Sequence, residues 1–305
     1  SDDERLHPTC HLKFIRRRKK ISQIESGVDL LARLNAKANL KRIEEVLFPD
    51  GLCNTDTIEI SGDASTGKTL LLSQMIGKCL LPKWHGSIKI GGCNAHAVLI
   101  NVDHHLQISK MNELMHASVE NVLSANSKSQ ILDTGTINHI VNNSLRNLTI
   151  LDCYDNDQLF LTLQTLDNVF LSNNNIALLA IDGIAAHYWQ ERRSNDSGYT
   201  FSIRWYAKKL LKIIHSHCSR FNVVTMYTYH EQTYKEDKGT RLNVEYKIYL
   251  QKLKDSQKHL CTWNIAQTTN LNVFKNGINN RFLQQIFLFR GKRNLRTSEI
   301  VNVNQ

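Results

Sequence analysis

Residues 62–69 read GDASTGKT, and this stretch constrains the chain more than any other. A strand pattern, TDTIEI (55–60), precedes it. The segment KTLLLSQMIGKCLL (68–81) follows and reads as a helix that stops before Pro82. Strand, glycine-bounded loop and helix in that order form a cradle for phosphate groups. Gly62 and Gly67 let the backbone wrap closely and turn N–H groups inward, with Asp63, Ala64, Ser65 and Thr66 between them. Lys68 is placed to reach β- and γ-phosphates and the Thr69 hydroxyl to ligate Mg²⁺. The helix N-terminus adds favourable partial charge. The competing reading is a glycine turn ahead of an ordinary helix.

The rest of the chain repeats the alternation. Strand patterns occur at AVLINV (97–102), LTILDC (148–153), IALLAID (176–182) and NVVTMYT (222–228). Between them lie helical patterns over 107–122, 155–171 and 202–219. Near-continuous apolar strands separated by amphipathic helices predict an α/β fold, a mostly parallel sheet with helices on both faces. RFLQQIFLFR (281–290) is expected to add a late strand. Three regions follow: a basic tail over 1–24, a helical lead-in over 25–50 containing IESGVDLLARL and KRIEEVLF, and the α/β domain over 51–305. Two segments resist packing and read as long loops, 190–200 and 230–258.

Composition narrows the class. No run of 18 apolar residues exists, which argues against a membrane span, and the polar start SDDERLHPTC does not read as a signal peptide. Seven cysteines at wide spacings without a CxxC pair predict free, mostly buried thiols in a reducing compartment. The net charge of +10 leaves two readings open, contact with nucleic acid and a generally basic surface. The tail run HLKFIRRRKK fits nuclear targeting, nucleic-acid contact or plain solvation.

Two strand ends carry carboxylates. Asp182 closes IALLAID and is expected at the sheet edge near the phosphate loop, where it would hold Mg²⁺ with Thr69. Asp103 closes AVLINV and either orients an attacking water in the crevice or caps the next helix. The HSHC cluster (215–218) sets its histidines two apart on a helix, so they face different ways and a metal site is not expected.

The order GDASTGKT, VLINVDHH, ALLAIDGIAAHYW, NVVTMYTYHEQ resembles the ATPase core of RecA-type recombinases. ESGVDLLARL, KCLLPK and IDGIAAHYW narrow the resemblance to a eukaryotic recombinase paralogue, over about residues 24–232 and most closely from Glu25 to Lys83. The resemblance implies ATP and Mg²⁺ as cofactors and a nuclear role in homologous-recombination DNA repair. It also implies a hetero-oligomer with other recombinase paralogues, the D-type paralogue as neighbour. Single-stranded or branched DNA is the implied nucleic acid. The two long loops correspond to the family's DNA loops, with Arg192 and Arg193 in the first and Lys235, Lys238 and Arg241 in the second.

This chain departs from the main recombinases at two positions. They carry a catalytic glutamate where Asp103 stands, and a γ-phosphate-sensing glutamine whose nearest equivalent is His230. Both departures predict weak or partner-dependent hydrolysis. The tail offers Phe14 but has Arg17 where the family's docking plug needs alanine, so no self-filament is expected. Three rival readings are an active DNA-dependent ATPase, a nucleotide-independent scaffold and a P-loop small-molecule kinase.

Overall fold

The computed structural model describes residues 27, 38–45, 47–48, 50–125, 133–194, 202–230, 244–252 and 261–267. The chain divides into two units, Ser1–Ala36 and Lys37–Gln305. Gly27 alone is described in the first, and all the sheet strands belong to the second.

Strands whose residues are apolar on both faces must lie inside, and the sheet is arranged around them. In chain order the elements are β1 (Thr57–Gly62), α1 (Lys68–Leu80), a hairpin of β2 (Trp84–His85) and β3 (Ile88–Lys89), and β4 (His96–Asn101). Then come α2 (Ile108–Ala125), α3 (Thr134–Leu145), β5 (Leu148–Asp152), α4 (Asn156–Gln164), α5 (Leu166–Ser172) and β6 (Ile176–Asp182). The rest are α6 (Tyr188–Ser194), α7 (Ile203–Phe221), β7 (Val224–His230), β8 (Tyr246–Lys252) and β9 (Cys261–Gln267). The strand order is β5-β4-β6-β7-β1-β8-β9, parallel throughout except for the antiparallel β8–β9 pair. This is the expected α/β architecture of a RecA-like core.

Alternate residues feed two cores. Ile58, Ile60, Leu99, Leu178, Ala180 and Met226 pack with Leu72 and Met75 of α1, Met111 and Met115 of α2 and Ile140 of α3. Val98, Ile100, Leu179, Ile181 and Tyr227 point the other way, to Leu163 of α4, Phe170 of α5 and Leu210 and Ile214 of α7. All seven residues of β6 are buried, as befits a central strand covered on both faces.

Local chemistry sets the element ends. Leu81 precedes Pro82 and takes an extended backbone, which ends α1. The Ser202 hydroxyl accepts from the Trp205 N–H and opens α7, while Asn222 in the left-handed region closes it. At the root of the hairpin, the N–H groups of Gly92, Cys93, Asn94 and Ala95 donate to the carbonyls of Pro82, Lys78, Leu81 and Cys79. A Cβ on Gly92 would lie 2.0 Å from the Leu81 carbonyl oxygen, so this seam closes only on glycine.

Several expectations need correction. The helix expected over 155–171 is two helices, because the Thr165 hydroxyl and N–H both fold back onto the Leu161 and Thr162 carbonyls. KRIEEVLF forms hydrogen-bonded turns at its described residues, not a helix. Part of the first long loop is α6, which runs to Ser194, and the second contains β8. That strand reads with period two: Ile248 and Leu250 face the α1 core, while Lys247 pairs with the buried Glu59 at 3.2 Å. Tyr227 donates to the other Glu59 oxygen at 2.8 Å, so a hydroxyl and an ammonium flank this internal carboxylate across the strands. The hairpin and α3 add to the elements expected from the sequence pattern. The strand expected over 281–290, the basic tail and Phe14 lie outside the described residues.

Leu179 sits at the centre of β6 with no exposed surface. Leu179→Ala is expected to lower unfolding free energy by about 2–5 kcal/mol, read from urea denaturation, through the lost transfer energy and the cavity left behind.

Candidate functional site

The phosphate loop is shaped by positive φ angles at Gly62 (147°), Ser65 (56°) and Gly67 (98°). A Cβ on Gly62 would lie 2.2 Å from the Leu250 carbonyl oxygen, so β8 allows only glycine there. The buried Thr66 donates its hydroxyl to the Asp63 carbonyl at 2.9 Å, bracing the loop from inside. Asp63, Ala64 and Ser65 face solvent. The Lys68 ammonium donates to the Gly62 and Asp63 carbonyls at 2.9 and 2.7 Å, folded over the loop. At the start of α1, Gly67 supplies no side-chain cap, and the first turn carries no acidic residue. The first-turn N–H groups are therefore left for an anion by a helix that does not cap itself.

Asp182 meets this loop from β6. The Thr69 hydroxyl donates to its carboxylate, 2.9 Å from one oxygen and 3.2 Å from the other. Thr228 of β7 donates to the same carboxylate at 2.9 Å, and its oxygen accepts from the Gly183 N–H at 2.7 Å. Asp182 has no exposed surface. Burial pushes its carboxyl up from the ordinary aspartate range; the hydrogen bonds from Thr228 and Thr69 pull it back. The neighbouring Asp103 carboxylate adds to the upward push and His105 opposes it.

Asp103 lies where β4 leaves the sheet. A Cβ on Gly183, at φ 84°, would fall 2.6–2.9 Å from Asp103 side-chain atoms, so glycine makes room for the second carboxylate. The Asp103 N–H donates to the Asp182 carbonyl at 3.2 Å, and His105 lies 3.8 Å from the Asp103 carboxylate. Because α2 starts only at Ile108, Asp103 is not its cap. Behind this turn, His104 stacks on Tyr154 at 4.4 Å, and its Nε2 lies 3.2 Å from the Cys153 carbonyl. Asn101 donates to Asp152 at 2.9 Å. These contacts tie the ends of β4 and β5 together.

The remaining candidates are spread out. His230 ends β7 level with Gly62 and is exposed. Arg192 is exposed on α6, its guanidinium 5.3 Å from the centre of the Trp189 ring. Arg193 follows on the same helix. Tyr188 is buried, whereas Trp189 is 46% exposed, so the two aromatics divide between core and surface. Lys235, Lys238 and Arg241 lie outside the described residues. His217 pairs with Asp167 and His215 contacts Ser219, so the HSHC cluster does not converge, and no metal-holding group of His, Cys, Asp or Glu occurs among the described residues.

Comparison with known proteins bears on this arrangement. The chain is 30% identical over 172 residues to the DNA repair protein XRCC2 of Mus musculus, covering 56% of this chain and 55% of that protein. Over those 172 residues the chain is homologous to XRCC2. It is also 22% identical over 160 residues to the DNA repair protein XRCC2 homolog of Arabidopsis thaliana, covering 46% of this chain and 43% of that protein. It spans about half the length of the XRCC2 proteins it matches. No family model matches the chain. No described helix is long and apolar enough to cross a membrane.

The structure draws together residues far apart in sequence: Lys68 and Thr69 from α1, Asp103 after β4, Asp182 from β6 and Thr228 from β7. Sequence reasoning misses Thr228. Its signal is the parallel register, since Ile181 pairs with Tyr227 and so sets Thr228 beside Asp182.

A carboxyl raised in the folded state binds protons more readily there than in the unfolded chain. Its contribution to stability is therefore full at low pH and lost as pH rises through the folded value. Asp182→Asn removes this titration while keeping one acceptor and one donor for the two threonines. The ligand-free variant is expected to exceed the wild type in stability at pH 7, with the gap closing toward the ordinary aspartate pKa of 3.8. Urea midpoints across pH measure this, and a less stable variant at pH 7 contradicts it.

Proposed function

We propose that this chain is an ATP-binding recombinase paralogue that acts as an assembly or mediator subunit in homologous-recombination DNA repair, in the nucleus. The observation that carries the reading is the chain of contacts from Thr69 through Asp182 to Thr228, attached to a phosphate loop whose glycines and lysine are all in place. The homology to XRCC2 supports the repair context.

The residues present fit Mg²⁺–ATP. The loop Gly62, Asp63, Ala64, Ser65, Thr66, Gly67 would surround the phosphates with backbone N–H groups, and Lys68 would exchange its two carbonyl partners for phosphate oxygens. Thr69 and Asp182 would hold Mg²⁺. When bound, the nucleotide supplies a polyphosphate whose charge fills the cradle and a γ-phosphoryl group open to water. Asp103 is the carboxylate available to orient that water, and it is one methylene shorter than the glutamate of the main recombinases. A misplacement of about 1 Å costs on the order of a hundredfold in rate. His230 ends β7 beside Gly62 as the sensor candidate. Turnover is accordingly weak or dependent on partners.

Other recombinase paralogues, the D-type paralogue first, are the proposed partners in a hetero-oligomer. Single-stranded or branched DNA is the proposed nucleic acid, met by Arg192, Arg193, Lys235, Lys238 and Arg241, with the Trp189 indole beside Arg192 offering a π-face.

Binding is tested by unfolding the protein with and without nucleotide. Mg²⁺–ATP at a hundred times its Kd is expected to add about 2.7 kcal/mol to wild-type stability and nothing to Lys68→Ala. A kcat of about 1 s⁻¹ or more in the isolated chain, the range of ordinary enzymes, contradicts the mediator reading.

A further inference from the structure

The β2–β3 hairpin stands apart from the main sheet and from the phosphate loop. It follows the C-terminal end of α1, a helix of 13 residues, so it lies about 20 Å along the helix axis from the cradle. Its root is rigid: four consecutive N–H groups, from Gly92 to Ala95, donate to carbonyls in the segment from Lys78 to Pro82. Inside the hairpin, the N–H groups of Ile90 and Gly91 both donate to the Lys83 carbonyl at 3.1 Å.

This rigid support presents an apolar ring to water. Trp84 is 53% exposed although it begins a strand. Its cross-strand partner is Lys89, and Lys83 precedes it; both lysines are exposed. Directly opposed residues on neighbouring strands have Cβ atoms about 5 Å apart, so the Lys89 and Trp84 side chains share one face of the hairpin. The charge of this stretch of chain has one sign. No Asp or Glu occurs from Ala64 through Val102, a stretch holding Lys68, Lys78, Lys83 and Lys89. Glu44, which approaches the root, pairs with Lys78.

We propose that this hairpin is a nucleic-acid contact separate from the loops near α6, in which Trp84 stacks on an unpaired base of single-stranded DNA while Lys83 and Lys89 take the flanking phosphates. A flat π-face with Lys89 directly opposite and Lys83 one residue before it suits a strand that alternates aromatic bases with anionic phosphates. An intact duplex hides its base faces, so the ligand is single-stranded. An acidic peptide would answer to the lysines but has no ring for the indole. The site does not depend on ATP binding, because it lies at the other end of α1.

The test uses the full chain and a fluorescein-labelled oligothymidylate, with affinity read by anisotropy at several salt concentrations. Trp84→Ala is expected to weaken binding roughly tenfold, whereas Trp84→Phe, which keeps a π-face, retains most of the affinity. Lys83→Ala combined with Lys89→Ala is expected to reduce the slope of log K against log salt by roughly 1.4, about 0.7 for each phosphate no longer neutralised. Melting temperature and Mg²⁺–ATP binding of all three variants stay at wild-type values. Variants that bind the oligonucleotide as the wild type does overturn the proposal. So does a loss of affinity confined to a polyglutamate peptide of equal length, which assigns the hairpin to an acidic protein partner. A wild-type chain that binds ATP but no oligonucleotide overturns this site while leaving the nucleotide reading intact.

Discussion

The Asp182 carboxylate is out of reach of water and is held by two threonine hydroxyls, one from each side. Burying a carboxylate is expensive, and hydrogen bonds to a charged group recover about 1.5–3 kcal/mol each. Two such bonds do not remove the penalty, because the carboxyl still sits above the ordinary aspartate range. The rest of the site depends on this imbalance. Thr69 brings in the start of α1 and with it the phosphate loop. Thr228 brings in β7 and, through the Gly183 N–H, the turn that leaves β6. Asp103 leans over Gly183 and adds a second negative charge. A divalent cation beside Thr69 would relieve the repulsion that these two carboxylates create together.

Backbone constraints make this arrangement specific. Gly62 is required by the Leu250 carbonyl of β8, and Gly183 by the Asp103 side chain. The two glycines thus answer to strands on opposite sides of β7, so the loop and the carboxylates cannot shift independently of the sheet. The sheet is in turn fixed by its two cores and, at β1, by the row in which Tyr227 and Lys247 flank the internal Glu59. Buried charges of this kind add little net stability.

Much of this is legible from local pattern. The glycine loop, the apolar strands and their terminal aspartates are short-range signals, and their alternation implies the sheet. What escapes such a reading is anything set by pairing across the chain. Thr228 looks like one more polar residue in NVVTMYT until the parallel register puts it against Asp182, 46 residues away. The β8 segment reads as a loop because its lysines and tyrosines mask a period of two that makes sense only once β1 is its neighbour. The break at Thr165 depends on a hydroxyl returning to carbonyls one turn back, which an apolar periodicity does not reveal. Asp103 offers two readings, and the start of α2 at Ile108 removes the helix-cap one.

In the proposed function, Asp182 is kept, at a cost in stability, as the carboxylate that would hold a metal ion beside bound nucleotide. The decisive experiment is isothermal titration of the wild-type chain with ATP, in Mg²⁺ and again in EDTA. Saturable one-to-one binding is expected in Mg²⁺, weakening at least tenfold in EDTA, a loss of about 1.4 kcal/mol. Equal affinity in the two buffers, or no binding in either, would contradict it.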